Sequence, residues 1–329
     1  MRTRQFGRST RQVGEIGIGT WGIGGAQWTA VEDSEAIAAL HAALDLGVTF
    51  IDTADVYGDG RSEKLIARAL KERGGERPFI ATKAGKRLPV QDVRGFTREN
   101  LNSWIDRSLR NLEVDTLDLV QLHCPPTDLY YHPDVFGILD DLVKDGKIRS
   151  YGVSVEKIEE AIKAIEYPGV ASVQIIFNIL RQRPIDLFFG LARKKDVAVI
   201  ARVPLASGLL SGKFRRDSQF DKADHRNFNR HGEAFDVGET FSGVPFEAGL
   251  EIVERIRPLV GGTATMAQFA LRWILMHEAV TVVIPGARSV EQSRANAEAD
   301  QLPPLSPDVM ARVKEIYDQS VKPHVHHRW

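Results

Sequence analysis

The strongest constraint on the fold is a pattern that recurs along the chain: a short apolar run, a polar loop, and a stretch with helical apolar spacing. Eight apolar runs follow this pattern in the 329-residue sequence. They lack regular polar alternation, which is typical of parallel strands covered by helices. The predicted strands are residues 15–19, 49–52, 78–83, 117–123, 148–154, 173–177, 198–203 and 280–285.

Helical spacing between these strands is clearest in the segments beginning near Leu65, Leu101 and Ile158. Each segment places apolar residues three or four positions apart, on one face. Eight strands that alternate with helices predict an α/β fold, and in particular a (β/α)8 TIM barrel formed as a single domain over residues 1–329. An open, doubly wound sheet of eight strands is the alternative.

Three segments lie outside this repeat. Residues 4–19 alternate around a Gly-Arg-Ser turn at 7–9 and predict an N-terminal β-hairpin. Residues 206–245, after the seventh strand, are rich in Gly, Asp, Arg and Phe, and a loop of this length inside a compact domain is usually a lid or a binding loop. Ser306 and Pro307 supply an N-cap and a first-turn proline, which predict a final helix.

The composition excludes several classes of function. Lysine and arginine number 43 against 44 acidic residues, so no net positive charge attracts nucleic acid or a membrane surface. The one cysteine, Cys124, cannot form an internal disulfide, which fits a reducing compartment. No secretion signal begins the chain, and no apolar run reaches the ~18 residues that span a bilayer. We therefore expect a cytoplasmic monomer or homo-oligomer that binds a small molecule.

One glycine motif suggests a different fold. Gly17, Gly19 and Gly22 follow a predicted strand with GxGxxG spacing, the fingerprint of a Rossmann dinucleotide site. That site needs a helix to begin inside the motif, so that the helix N-terminus meets the pyrophosphate. Residues 23–28 instead predict a flexible loop, and the first helix is predicted from about Asp33. The context therefore argues against a Rossmann site.

Four ionisable side chains lie at or just after the ends of three neighbouring predicted strands. Asp52 ends the second strand, Lys83 the third and His123 the fourth, and Tyr57 lies in the loop after Asp52. In a barrel the carboxyl ends of the strands meet at one mouth, where catalytic groups sit. Each residue alone has an ordinary interpretation, as a turn cap, a loop aromatic, a surface lysine or a core histidine. Together they predict a site, because buried charges are costly unless paired.

The residue types favour proton transfer to a carbonyl oxygen. A phenol with a pKa of about 10 is a weak acid near neutrality, and a cation within about 4–6 Å can lower that pKa by roughly 1–3 units. We expect Lys83 to supply this charge, Asp52 to hold Lys83, and a neutral His123 to donate a hydrogen bond to the carbonyl. Tyr57 would then protonate the oxygen while a cofactor supplies hydride, which no side chain can provide.

Five motifs, in the expected order, resemble the aldo-keto reductase superfamily. The likeness runs from the N-terminal hairpin to about residue 300. Within the superfamily the chain is most similar to the bacterial, longer-loop branch that also contains potassium-channel β subunits. The motifs are GVTFIDTADVYG at 47–58, LDLVQLH at 117–123, GKIRSYGVS at 146–154, SGLLSGK at 207–213 and VIPG at 283–286.

The resemblance implies a (β/α)8 barrel that binds NADP(H) without a Rossmann fold, and a catalytic tetrad of Asp52, Tyr57, Lys83 and His123. Substrate would contact Trp21, Tyr57 and His123. In channel β subunits the position of His123 resembles Asn, so the histidine favours an NADPH-dependent reductase of aldehydes or ketones, of alcohol dehydrogenase or carbonyl reductase type. The alternatives are a cofactor-binding regulatory subunit with little turnover, and a metal-dependent isomerase or lyase, which would need more ligands at the strand ends.

The same resemblance assigns cofactor contacts around the barrel mouth. Arg288 would pair with a 2′-phosphate, which NADP has and NAD lacks. Ser289 and Gln292 also fit a capping box at the start of a helix, whose N-terminus would itself favour an anion. The implied contacts are Thr20, Trp21, Asp52, Ser154, Gln174, Arg202, Leu205, Ser207, Lys213, Gly286, Arg288, Gln292 and Asn296.

Two positions depart from the family pattern. Many relatives have Asn where this chain has Val155, which removes one contact to the nicotinamide carboxamide. Many also place an aromatic ring beneath the nicotinamide, where this chain has Arg202. A guanidinium can stack on a ring, and its positive charge would disfavour cationic NADP⁺ relative to NADPH. We therefore expect a bias toward reduction.

Two groups of residues have structural as well as functional interpretations. His324, His326 and His327 can ligate a metal, but they lack carboxylate or thiolate neighbours in sequence. We expect them to form a solvated tail, and no metal site is predicted. Trp21 and Trp28 are expected either to line the substrate pocket or to pack in the core.

Overall fold

The computed structural model describes residues 1–25, 27–28, 31–262 and 264–329. Strands and helices alternate along most of this length. The strands are β1 (Thr3–Gln5), β2 (Gln12–Gly14), β3 (Ile18–Gly19), β4 (Phe50–Asp52), β5 (Phe79–Ala84), β6 (Leu119–His123), β7 (Tyr151–Ser154), β8 (Val170–Ile176), β9 (Ala198–Arg202) and β10 (Val280–Val283).

The helices pack outside these strands or follow the last of them. They are α1 (Trp21–Gly24), α2 (Asp33–Asp45), α3 (Arg61–Arg73), α4 (Arg98–Leu112), α5 (Pro133–Lys144), α6 (Ile158–Ala164), α7 (Phe188–Lys194), α8 (His225–Phe228), α9 (Phe246–Ile256), α10 (Met266–Leu275), α11 (Val290–Glu298), α12 (Pro307–Ile316) and α13 (Lys322–Val325). Within the described ranges, no helix is both long enough and apolar enough to cross a membrane.

The eight strands β3 to β10 form one parallel sheet in chain order. Its first and last strands meet, since Ile16 bridges to Val283 and Gly19 to Gly286 in parallel. The Gly17 amide donates to the Val283 carbonyl at 2.8 Å. The sheet is therefore a closed (β/α)8 barrel, as predicted, and the open doubly wound alternative is excluded.

Five of the barrel strands, β3 to β7, begin one to three residues later than the sequence predicted, β9 and β10 begin where predicted, and β8 begins earlier, at Val170 instead of residue 173. The carboxyl ends of all eight lie within two residues of the predicted positions. Pairing in β3 starts at Ile18 rather than at residue 15, and pairing in β7 starts at Tyr151 rather than at residue 148. Leu117 and Ile148 form only an isolated bridge. Apolar residues at the strand starts are buried by packing before regular pairing begins, so hydrophobicity alone extends the predicted strands too far.

The N-terminal hairpin, β1 paired with β2, closes the end of the barrel where the strands begin. Phe6, with 2% of its surface exposed, lies against the first residues of β4 and β5: its ring centroid is 5.8 Å from that of Phe50 and 4.8 Å from that of Phe79. The Arg4 guanidinium donates to the Leu275 carbonyl at 2.7 Å. The predicted hairpin is confirmed, with its second strand ending at Gly14 rather than continuing to residue 19.

The one-turn helix α1 occupies part of the predicted loop 23–28, so the expectation that no helix precedes Asp33 is wrong. Its turn closes because the amides of Ile23 and Gly24 donate to the Thr20 carbonyl at 3.1 and 3.2 Å. Ala26, in the same predicted loop, lies outside the described residues. The turn does not restore a Rossmann site, because the sheet around it is a closed barrel.

The long segment 206–245 is folded into short helical turns rather than being an open loop. It contains α8 and the turns Ala206–Ser211, Val237–Glu239 and Phe241–Gly243. Beyond the barrel, the predicted final helix is confirmed as α12, whose Ser306 cap accepts from the Val309 amide at 3.3 Å.

The prediction of a solvated tail holds only in part: His324 and His327 are exposed, but His326 is half-buried and the chain end docks on the protein. His326 lies between the Tyr317 hydroxyl, at 2.9 Å, and the Asp186 carboxylate, at 3.0 Å. Trp329 is buried, and its indole nitrogen donates to Asp236 at 3.0 Å. These contacts place the chain end against the segment 206–245.

We expect Phe6→Ala to lower the free energy of unfolding by about 3–5 kcal/mol, because it leaves a cavity among three buried rings. Phe6→Leu should cost less, and Val90→Ala, at a position that is 74% exposed, should change little. Urea unfolding followed by tryptophan fluorescence measures all three. A Phe6→Ala variant as stable as Val90→Ala would show that the hairpin does not seal the barrel.

Candidate active site

A buried ion pair lies where β4 and β5 end. The Lys83 ammonium donates to Oδ2 of Asp52 at 2.7 Å and to the Thr53 carbonyl at 2.9 Å. Lys83 is 1% exposed and Asp52 is 3% exposed. Burial lowers the pKa of Lys83, and the Asp52 carboxylate opposes that shift. Each charge therefore stabilises the other in a place where neither would be tolerated alone.

Tyr57 and His123 join this pair, so the four predicted residues do meet in one place. The Lys83 ammonium donates to the Tyr57 hydroxyl at 3.2 Å. The Tyr57 and His123 rings meet edge to face, with centroids 5.9 Å apart. The loop that carries Tyr57 packs closely on α1, since a Cβ on Gly24 would lie 2.8 Å from the carbonyl carbon of Tyr57. Glycine at position 24 thus allows the approach that fixes the tyrosine.

The expected acidity of Tyr57 is not what its surroundings produce. Burial, the Asp52 carboxylate and Glu239 raise the pKa of the phenol well above its ordinary value. The prediction counted the charge of Lys83, but Asp52 compensates that charge and itself repels a phenolate. Tyr57 therefore keeps its proton at neutral pH.

His123 is held neutral, as the sequence analysis expected. Burial and the nearby Lys83 charge lower the pKa of its imidazole well below the usual value. Its Nδ1 atom is buried and has no hydrogen-bond partner among the described residues. A neutral imidazole in this place can donate one hydrogen bond and accept another.

Three residues predicted to contact the nicotinamide lie around the ion pair. The Gln174 amide donates to Oδ1 of Asp52 at 2.7 Å. The Thr20 hydroxyl donates to the Asp52 carbonyl at 2.8 Å. Ser154, at the end of β7, has its hydroxyl 3.5 Å from the Cys124 sulfur. The side-chain amide nitrogen of Gln174 is thus engaged by Asp52.

Arg202, at the end of β9, is buried between two carboxylates. It pairs with Glu239 and, at 3.1 Å, with Glu156, and it donates to the Val155 carbonyl at 2.8 Å. Burial raises the pKa of Glu239 to about 7, although the Arg202 charge lowers it. The prediction of an uncompensated positive charge at Arg202 is therefore wrong. The expected bias toward reduction depended on that charge and loses its physical basis.

Ser207 links the two ends of the segment 206–245 to each other, next to Arg202. Its hydroxyl donates to the Glu239 carbonyl at 2.8 Å and accepts from the Phe241 amide at 3.1 Å. Leu205 is half-buried beside it, and Lys213 is exposed at the end of the same turn. The residues predicted to cover the phosphates thus belong to the base of this segment.

The predicted adenosine-end residues hold the turn between β10 and α11. Asn296 donates to the Gly286 carbonyl at 3.2 Å. The Ser289 hydroxyl caps the Gln292 amide at 3.3 Å, but the Gln292 side chain accepts from the Arg288 amide at 2.8 Å instead of returning to Ser289. The capping box is therefore only half formed.

The Arg288 side chain packs against α1, which follows β3. A Cβ on Gly22 would lie 3.0 Å from Cδ of Arg288, so the glycine makes room for it. A second guanidinium, that of Arg226, lies 4.8 Å from the Trp28 ring, and Arg288 lies 5.7 Å from the same ring. Burial and Arg226 lower the pKa of Arg288, and Asp224 opposes them. Two guanidinium groups thus lie near one indole, and the buried Asp224 carboxylate compensates the charge of Arg226 through hydrogen bonds of 2.8 and 2.6 Å.

A family model described as the aldo/keto reductase family matches residues 15–318. The chain belongs to the aldo/keto reductase family. A glycerol dehydrogenase structure from Gluconobacter oxydans, AKR11B4, is 29% identical, with a TM-score of 0.78 over 98% of this chain and 96% of that one. An aldo-keto reductase structure from Klebsiella pneumoniae in complex with NADPH is 25% identical, with a TM-score of 0.68 over 96% and 95%.

Channel-related members of the family also match. A protein of Arabidopsis thaliana named "Probable voltage-gated potassium channel subunit beta" is 26% identical, with 98% of each chain covered. The predicted resemblance to the branch that contains channel β subunits and bacterial reductases is therefore confirmed.

Sequence reasoning missed four residues of this aldo/keto reductase site: Glu156, Glu239, Arg226 and His225. The two glutamates were foreseeable in kind, because an arginine at the buried end of a strand needs carboxylates. Their positions were not, since Glu239 lies in a segment without helical or strand periodicity. The same absence of periodicity hid Arg226 and His225.

We expect the His123 ring to remain neutral at a pH where an ordinary imidazole is already half protonated, because burial and Lys83 both disfavour its charged form. NMR of ¹⁵N-labelled histidine measures the protonation state, and His123→Asn identifies the signal. Lys83→Met should raise the pKa of His123, since it removes a repelling charge. A His123 midpoint near pH 6.5 in the unmodified protein would contradict this assignment.

Proposed function

We propose that this aldo/keto reductase reduces aldehydes or ketones to alcohols with NADPH, and that Tyr57 donates the proton. The observation that carries the proposal is the hydrogen bond of 3.2 Å between the Lys83 ammonium and the Tyr57 hydroxyl, in a cluster with Asp52 and His123. These groups lie at the carboxyl ends of barrel strands, where barrel enzymes place their chemistry.

The raised pKa of Tyr57 suits a proton donor, because the phenol still carries its proton when substrate arrives. The difficulty lies in the phenolate left behind. The Lys83 ammonium, already within hydrogen-bond distance, stabilises that anion as the proton moves to the carbonyl oxygen. Asp52 keeps Lys83 in position, and neutral His123 donates a hydrogen bond to the same oxygen.

The residues around the cluster fit NADP(H). When bound, the dihydronicotinamide supplies the hydride that the side chains cannot. Gln174 and Ser154 would hold its carboxamide, and the Arg202 guanidinium, fixed by carboxylates, would stack on its ring. Thr20, Trp21, Leu205, Ser207, Lys213, Gly286, Gln292 and Asn296 are proposed as the further contacts along the cofactor.

Selectivity for the phosphorylated cofactor is proposed to reside at Arg288. Its guanidinium lies 5.7 Å from the Trp28 ring, beside the turn that precedes α11, where it can donate charge-assisted hydrogen bonds to a phosphate. The helix α11 begins two residues later, at Val290, and its N-terminus adds a favourable field for a phosphate.

Two other functions are less well supported. A regulatory, channel-subunit-like role is suggested by the Arabidopsis relative. The family resemblance argues against it, because it implies Asn in channel β subunits at the position that His123 occupies here. For a metal-dependent enzyme, the one described group with suitable spacing is Cys124, Glu156 and Glu239, whose side-chain ligand atoms lie within 4.8 Å of one another. Both of its carboxylates pair with the Arg202 guanidinium, which occupies the position that a metal ion would need.

We expect Tyr57→Phe to lower kcat for aldehyde reduction by at least about 100-fold, since general acid catalysis contributes roughly 10²–10⁴. NADPH binding should be retained, because the ring remains. Stopped-flow and steady-state NADPH oxidation with benzaldehyde measure the rate, and fluorescence titration measures the binding. Full turnover by Tyr57→Phe would remove the proposed proton donor.

We expect Arg288→Leu to raise the Kd for NADPH by about 10–100-fold while changing the Kd for NADH little, because a charge-assisted hydrogen bond to the 2′-phosphate is lost. Arg294→Leu, at an exposed position on the following helix α11, is the matched control. Equal weakening of both cofactors in Arg288→Leu would place the arginine elsewhere than at the 2′-phosphate.

A further inference from the structure

We propose that His225 and Trp28 form a subsite for an oxygen acceptor on the substrate, at the end remote from its reacting carbonyl. The preferred substrates would then be aromatic aldehydes or ketones that carry a distal carboxylate or hydroxyl. The inference rests on the proposed function, because it identifies the far end of the same substrate pocket.

The location follows from a stack of rings that starts at Tyr57. The Trp21 ring centroid is 6.4 Å from that of Tyr57, with 27° between the planes, and 4.9 Å from that of His225, with 33° between the planes. Phe235 lies 6.1 Å from Trp21, edge to face. His225 is therefore one ring away from the proposed proton donor, in surroundings that favour a flat, apolar ligand.

The imidazole of His225 is buried, with 0% exposure, and one of its nitrogens lacks a partner. Its Nδ1 lies 3.1 Å from the Thr240 hydroxyl oxygen, which accepts from the Asn229 amide at 3.2 Å. The hydroxyl hydrogen of Thr240 is thus available to Nδ1, which leaves the proton of the neutral ring on Nε2. Nε2 has no acceptor among the described residues.

Burial keeps this donor in its neutral form, since it lowers the pKa of His225 to about 4, although Asp224 raises it. The neutral state is therefore retained at neutral pH. It means that His225 offers an N–H group rather than a full charge, so its ligand need not be an anion.

Trp28 supplies a second unsatisfied donor beside the first. Its ring lies 4.6 Å from that of His225 at an angle of 68°, and its buried indole nitrogen has no acceptor in the described part of the chain. The neighbouring Trp21 differs, because its indole nitrogen donates to Gln27 at 3.0 Å. Buried donors are rarely left unpaired without a reason. Two adjacent ones provide for an acceptor that enters with the ligand.

Two kinds of group can supply the acceptor for His225 and Trp28: a polar group of the substrate or a phosphate of the cofactor. The stack from Tyr57 through Trp21 favours the substrate, because it continues away from the reacting centre along apolar rings. Arg288 and Arg226 lie on Trp28 as well, so cofactor binding is tested alongside.

The test compares 4-carboxybenzaldehyde with benzaldehyde as substrates of His225→Phe, which keeps a ring and removes the donor. We expect the ratio of kcat/KM values, carboxylated over plain, to fall about ten-fold, mainly through KM, as expected for one lost hydrogen bond. His225→Gln, which restores a side-chain N–H, should recover part of the ratio. Trp28→Phe should lower it in the same direction.

The matched control is His277→Phe. His277 is also a largely buried histidine with an unpartnered Nε2 and a pKa lowered by burial to about 4, but its ring packs against Trp273 and Phe177. It should leave the ratio unchanged. An unchanged ratio in His225→Phe overturns the subsite, and equal loss for both aldehydes assigns His225 to packing instead.

Two further measurements distinguish a failure of the proposed subsite from a failure of the proposed reductase function. A weaker Kd for NADPH in His225→Phe, measured by fluorescence titration, would assign the donors to the cofactor and overturn the substrate subsite. If the unmodified protein reduces neither aldehyde, the proposed function fails. Calorimetric binding of 4-carboxybenzyl alcohol with NADP⁺ present, lost in His225→Phe, would then still support the subsite, and its absence would overturn it.

Discussion

Two opposite charges buried at the ends of neighbouring strands govern the chemistry of this barrel. The ion pair of Lys83 and Asp52 forms because β4 and β5 pair in parallel and end side by side, and further partners complete it: the Thr53 carbonyl for the ammonium and the Gln174 amide for the carboxylate. The pair also sets the state of Tyr57, since the ammonium orients its hydroxyl and the carboxylate repels its anion. A neutral phenol next to a fixed ammonium is the result.

The parts of this arrangement that could be predicted are those written locally in the sequence. A polar residue after an apolar run marks the carboxyl end of a buried strand, and this signal located Asp52, Lys83 and His123. Eight such runs, alternating with helical spacing, indicated the barrel. Strand starts were less well defined, because Leu117 and Ile148 are apolar for reasons of packing rather than of regular pairing.

The parts that could not be predicted depend on contacts between segments distant in sequence. The charge of Arg202 was evident, but its compensation by Glu156 and Glu239 arises from two separate loops. The predicted lowering of the Tyr57 pKa was wrong for the same reason, since desolvation depends on the folded surroundings of the phenol. The docking of Trp329 onto Asp236 could not be inferred either, because a short tail carries no periodic signal.

The segment 206–245 touches the barrel at separated points. At one end Glu239 pairs with Arg202, and Ser207 bonds to the Glu239 carbonyl; in the middle the His225 amide donates to the Gln27 carbonyl at 3.1 Å. Residues 215–219 lie between these attachments and are mostly exposed. Doubling the length of a flexible loop costs only about 0.6 kcal/mol in closure entropy. Evolution or an engineer can therefore lengthen the chain at 215–219, or insert a reporter domain there, without moving the groups beneath.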